Sequence, residues 1–328
     1  MRPNALAGEI QERLLAFCWE QWAQLGVLAA PPTRASRRVQ DPEALIVLTL
    51  ETARADPRLF DEVLDWAALN ERLLSLRRLR GVCVDEQDRR LVAAAARWLG
   101  WEKFEPDTSP FDRENLFALG EPIGEPDPCF FSAGLLREQL ARSMRSTTAD
   151  LTLPINLSLR MRAIIGVGIR AELLRIMLTI RAGLITAAPL ARTSTYAKRN
   201  VHDTLGALAQ ARVIDAALVG GEFRYTIDPR RWAPLLGTGA EDLPGHVEWG
   251  TIFGILRIVL RWARAPATSE ASEYMQSSQA RQLLETLAPQ FAYAGIPVSE
   301  PARAEQALDA LGVAVRRALD VCGATTSG

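Results

Sequence analysis

Lysine is almost missing from this chain. Lys103 and Lys198 are the only two among 328 residues, so 36 of the 38 basic side chains are arginine. A GC-rich coding bias produces that composition, and it also suits recognition of phosphate and guanine, for which the guanidinium fork is well shaped. Histidine is nearly as scarce, with His202 and His246 alone. Cys18, Cys83, Cys129 and Cys322 lie far apart, with no CxxC pair. That pattern excludes a zinc cluster and a disulfide framework, and it predicts reduced thiols and no bound metal. Long apolar runs are missing too. The most apolar stretch, around Gly250 to Trp262, is interrupted by Arg257 and Arg261 and is too short to span a bilayer. The opening residues MRPNALAGEIQERLLAF carry charges through what would be the apolar core of a signal peptide. These absences predict a cytoplasmic protein with no membrane partner.

Catalytic signatures are absent as well. There is no GxSxG, HExxH or kinase pattern. GVGIRAE (166–172) places two glycines before a helix but lacks both the GK[ST] ending and the full GxGxxG spacing. The acid pairs Asp61-Glu62 and Asp85-Glu86 read as ordinary helix surface. The expectation is a protein that is not an enzyme and takes no cofactor.

What is present is mostly helical. Residues 1–100 form an N-terminal helical domain by pattern, with apolar residues recurring near a 3.6 period from Glu9 to Leu25. Asp41-Pro42 and Asp56-Pro57 are helix starts with proline at the first helical position, and Asp85 to Leu99 is a further helix. Within 59–81, Arg72, Arg77, Arg78 and Arg80 with Asn70 as a cap allow a degenerate helix-turn-helix; the alternative is a solvated helical face with leucines in the core. Residues 101–153 read as an irregular connector with one helix at Ala133 to Met144, anchored by Phe104, Phe111, Phe117, Phe130 and Phe131. The C-terminal region, 236–328, returns to helix. The tryptophans Trp66, Trp98, Trp101, Trp249 and Trp262 fall among leucines and read as core.

Residues 154–235 carry the strongest signal. Ile169 to Arg181 puts Leu173, Ile176, Met177 and Ile180 on one stripe, and Thr186 caps a short second helix through Ala191. Ser194 is a natural N-cap for a third helix, whose buried side is Ala197, Val201, Leu205 and Leu208. Its other face offers Thr195, Tyr196, Lys198, Arg199, His202 and Asp203. A hairpin turning on Gly220-Gly221 follows. From Ile155 to Arg231 there are twelve Arg and Lys against five Asp and Glu, a basic island in a chain of net charge −1.

This order resembles the winged helix-turn-helix of bacterial transcriptional regulators of the MarR and ArsR type, set inside a larger helical protein. The resemblance implies a recognition helix at Thr195 to Gln210, a wing at Val213 to Ile227, and sequence-specific binding of double-stranded DNA for transcriptional repression. Thr195, Lys198, Arg199 and His202 would approach bases, with Thr193, Ser194 and Tyr196 beside them, and Arg192, Arg212 and Arg224 would hold phosphates. A homodimer is expected through the C-terminal helices, whose apolar stripes are Leu256, Val259, Leu260 and Leu311, Val315, Leu319. The alternative is an interaction module, antitoxin-like, in which the helical regions hold a partner protein.

Overall fold

Proline after aspartate sets the helix starts in a computed structural model of the chain, which describes residues 2–29, 37–101, 113–117, 124–181, 183–299, 301 and 303–323. The first helices are α1 (Pro3–Leu25), α2 (Pro42–Thr52), α3 (Pro57–Leu69), α4 (Leu76–Gly81) and α5 (Glu86–Trp98). Asp41, Asp56 and Asp85 each accept a hydrogen bond from the main-chain N–H three residues on (Ala44, Leu59 and Asp88), as N-caps do. Then come β1 (Glu114–Asn115), α6 (Pro128–Phe131) and β2 (Leu135–Leu136), with β1 and β2 paired in parallel. Next are α7 (Leu157–Ile165), α8 (Ile169–Ile180), α9 (Ala187–Ser194) and α10 (Lys198–Gln210). The antiparallel hairpin β3 (Asp215–Val219) and β4 (Glu222–Thr226) follows. The chain ends with α11 (Pro229–Leu236), α12 (Trp249–Arg264), α13 (Pro266–Ser269), α14 (Glu273–Tyr293) and α15 (Ala307–Gly323).

Two apolar cores result. The larger joins α1, α2, α3 and α5 to α12, α14 and α15, so the two ends of the chain bury their side chains together. The smaller holds α7 to α10, the hairpin and α11. A crossing of extended backbone ties them: Val39 N–H donates to Gly245, Gln40 N–H to Ile155, and the Trp249 indole to the Val39 carbonyl at 2.8 Å. Leu256, Val259, Leu260, Leu311, Val315 and Leu319 all lie inside the larger core. These stripes, expected at a dimer surface, are consumed within one chain.

The helix expected at Ala133 to Met144 does not form; beyond β2 the segment is irregular, with Met144 in a left-handed conformation. Partners on α3 and its C-terminal end outcompete the helical ladder. Arg137 lies over Phe60, Phe117 and Phe130 and donates to Asp61 at 2.8 Å. Ser143 donates its N–H to Asp65 and its hydroxyl to Glu62, and Ala149 N–H reaches Asn70 at 3.1 Å. Asn70 therefore serves this strap, and Ser75 caps α4. Phe130 is buried, Phe117 packs at the core edge and Phe131 is exposed, while Phe104 and Phe111 lie outside the described residues.

The arginines inside α12 have a physical explanation. Arg257 is fully buried and grips Asp88 through Nε and Nη2, with 2.7 Å for the shorter pair, and it also donates to the Val82 carbonyl. Arg261 binds Asp85, Asp88 and Glu51. Asp85 and Glu62 are thus structural partners rather than plain helix surface. Burial opposes ionisation of Asp88, yet Arg257 and Arg261 outweigh it and hold its carboxyl below the ordinary range.

Candidate nucleic-acid interface

The ten residues nominated from the sequence divide into a docked group and a free group. Arg192 to Tyr196 are docked. Ser194, expected to cap the third helix, is instead the buried last residue of α9, and Thr195 takes a left-handed conformation (φ 61°) that ends it. The third helix therefore begins at Lys198, and Ala197, expected on its buried side, is exposed. Val201, Leu205 and Leu208 face the core as the periodicity requires.

Neighbours from the larger core hold this turn. The Arg192 guanidinium lies 3.6 Å from the centroid of the Tyr293 ring. The Thr193 hydroxyl donates to Glu248 at 2.8 Å and meets the Tyr293 hydroxyl at 2.7 Å. The His246 ring completes the chain, with Nε2 3.0 Å from Glu248. Burial opposes ionisation of Glu248, but its bonds to His246 and Thr193 hold the carboxyl below its ordinary value. Tyr196 sits half-buried under Arg77, whose guanidinium is 4.4 Å from the ring centroid. Gly81 at the end of α4 is closest of all: a Cβ there would meet Thr195 Oγ1 at 2.5 Å.

Beneath the turn lies a layer of sealed charge. Arg162 donates to Glu43 at 2.6 and 2.8 Å and to Glu172 at 2.6 Å, with all three side chains nearly inaccessible. Arg78 pairs with Asp41 and lies 3.5 Å from Glu172, and Arg175 donates to Glu172 at 3.2 Å. Burial disfavours the Glu172 carboxylate, yet Arg162, Arg78 and Arg175 together drive its pKa well down. Burial likewise opposes the Arg78 and Arg162 cations, and their carboxylates reverse it. In 59–81, only Arg78 is sealed this way; Arg72 and Arg77 are exposed, and α4 spans just six residues.

The free group is Lys198, Arg199 and His202 on α10 with Arg212 beyond it, and Arg224 falls between the two groups. Arg199 is 91% exposed, its side chain 3.9 Å from the Asp203 carboxylate, and Lys198 and Asn200 beside it are exposed. His202 lies on the same outer surface. Arg212 is exposed in a left-handed conformation after the helix. Arg224, on β4, is half-buried with its Nε shielded from solvent. The Gly220-Gly221 turn adopts two positive φ angles, 61° and 81°, as a two-residue hairpin loop demands. The hairpin has a surprise. β3 is exposed along its whole length, and Leu218, Val219 and Phe223 project apolar surface at its tip.

The two histidines and four free cysteines form no metal-binding group among the described residues. Among the described residues, no helix is long and apolar enough to cross a membrane. No protein family, curated protein or solved structure matches this chain.

Proposed function

We propose that this chain binds double-stranded DNA through a winged helix formed by α8, α9, α10 and the β3–β4 hairpin, and that it regulates transcription as a repressor. The observation that carries this reading is the outer face of α10: Lys198, Arg199 and His202 stand exposed at the first turns of a helix whose opposite face is buried. A helix N-terminus with exposed cations is suited to the major groove, where arginine forks onto guanine O6 and N7. Thr193 to Tyr196, buried or half-buried, seat that helix, whereas Arg192 stacks on Tyr293 but stays exposed at the phosphate-contact position expected for it; base approach then falls to Lys198, Arg199 and His202. Arg212 is another exposed phosphate contact.

The test is binding of the purified chain to its own upstream DNA and to random duplex at two salt concentrations. Site-selective binding with a steep salt slope supports the reading. Equal, weak binding to both duplexes removes it.

One observation favours a second reading. A wing that touches phosphate is expected to carry cations, whereas this tip presents Leu218, Val219 and Phe223. An apolar tip suits a protein partner, and co-purification of a second polypeptide that is lost on Phe223→Ser would favour the interaction module.

A further inference from the structure

The outer edge of the hairpin is open and unprotected. Tyr225 on β4 donates its N–H to Ile185 at 2.8 Å and accepts from Ile185 at 2.9 Å, so its main chain points away from Ala216 opposite. Successive residues of a strand turn their main-chain groups to alternate sides. Asp215, Ala217 and Val219 therefore face β4, while Ala216 and Leu218 turn their N–H and carbonyl groups to the free side of β3. Among the described residues none bonds that edge, and β3 is exposed from end to end. The guards that keep an edge strand from pairing are missing: β3 has no lysine, no proline and no bulge. Asp215, its only charge, is matched by Arg231 of the same chain at 3.5 Å.

The strand reads Asp-Ala-Ala-Leu-Val, and it complements itself. Laid antiparallel on a second copy about a two-fold axis at Ala217, it sets Ala216 opposite Leu218 on both sides of the axis. These are the residues with open main-chain groups, so each pair exchanges both its N–H···O bonds. The side chains fit in the same register. Leu218, 65% exposed, lies over the methyl of Ala216 in the second copy, and Phe223, 49% exposed, flanks it across the hairpin. The two Asp215 carboxylates sit at opposite ends, each across from Val219. The two hairpin bases point in opposite directions, which keeps the bodies of the chains apart. A foreign strand would need side chains at the edge to select it, and Ala216 and Ala217 offer only methyls.

We propose that β3 pairs with β3 of a second copy of this chain, joining two hairpins into one antiparallel sheet. The two-fold partner is then held by the wing and not by the C-terminal stripes, which the chain's own core consumes. This interface covers the apolar tip, and it stands independently of the DNA reading.

Sedimentation equilibrium of the full chain without DNA tests this. A strand-to-strand contact is a small interface, so the expected result is a 36.1 kDa monomer at low concentration and a dimer of twice that mass at high concentration, with Kd on the order of 10 µM. Leu218→Lys sets like charges about 7–8 Å apart diagonally across the pair and removes the apolar contact, and should weaken the dimer about tenfold or more. Leu218 is largely free of its own chain, so the melting temperature should stay within about two degrees. Ala217→Cys tests the register. Its two copies face each other with Cα atoms about 4.5 Å apart, within reach of a disulfide, so oxidised glutathione should link most of the chain into dimers. Ala216→Cys, whose copies are diagonal at about 7–8 Å, and the unsubstituted chain should stay unlinked. A monomer up to about 200 µM, a dimer indifferent to Leu218→Lys, or equal linking of Ala217→Cys and either control would each overturn the proposal.

Discussion

Two arginine-rich surfaces, about twenty residues apart in the chain, meet opposite fates. On α7 and α8, Arg162 and Arg175 are sealed with Glu43 and Glu172 beneath the turn. On α10, Lys198 and Arg199 stand in solvent with only a loose pairing at Asp203. The same residue type is architecture in one place and available charge in the other. A count of basic residues across 155–231 merges the two, although only the second can contribute to an external field. The buried layer gives α10 a rigid seat: its charges are costly to desolvate and stable only when every partner is present.

The largest effect should come from breaking the sealed side. Glu172→Ala leaves Arg162, Arg78 and Arg175 facing one another without their shared carboxylate, and should cost about 3–5 kcal/mol in urea denaturation. A loss below about 1 kcal/mol would mean that water or local rearrangement replaces the pair. Acid probes the same group. Its folded pKa is depressed, so its stabilisation is complete above the unfolded value of roughly 4.3 and is lost as pH falls toward the folded one. Melting temperature should therefore hold steady from neutral pH to about 5 and drop steeply below 4; a flat profile down to pH 3 contradicts the sealed layer.

Gly81→Ala strikes the seat itself, because the added Cβ meets Thr195 Oγ1 at 2.5 Å and Thr195 Cβ at 2.8 Å. It should cost about 1–3 kcal/mol and weaken DNA binding by moving the turn. Unchanged DNA affinity in a destabilised Gly81→Ala chain would show that the turn does not position α10.

On the exposed side, Arg199→Ala should leave stability within about 0.5 kcal/mol yet cost about 1–3 kcal/mol of affinity for the cognate duplex. The smallest effect belongs to Arg212→Ala, which should weaken all duplexes alike and lower the salt slope by about 1. Equal losses on specific and random DNA in both variants would remove the division between reading and holding.

Much of the fold was legible. Asp-Pro pairs announced α2 and α3, because a short acceptor followed by fixed φ is a local property. The Gly220-Gly221 turn was equally local, whereas α8, read as a helix with one apolar stripe, is buried on every side from Ala171 to Thr179. The misreadings share one cause. Ala133 to Met144 looks helical in isolation, but side chains on α3 bond its main chain, and no sequence window contains both. Ser194 has the chemistry of an N-cap, yet it closes α9 because Thr195 adopts a left-handed conformation against Gly81. The apolar stripes of α12 and α15 suggested a dimer, although residues near the other end of the chain cover them.

The sequence by itself determined where helices start, where the hairpin turns and which faces are apolar, since each depends on bonds and burial within a few residues. Only the tertiary structure decided which arginines are spent. Asp41 and Glu43 lie more than a hundred residues from Arg162 and Glu172, and a cavity behind the turn is walled by segments from three parts of the chain. Pairing and enclosure at that range come from the way the two cores are joined, which no local pattern encodes.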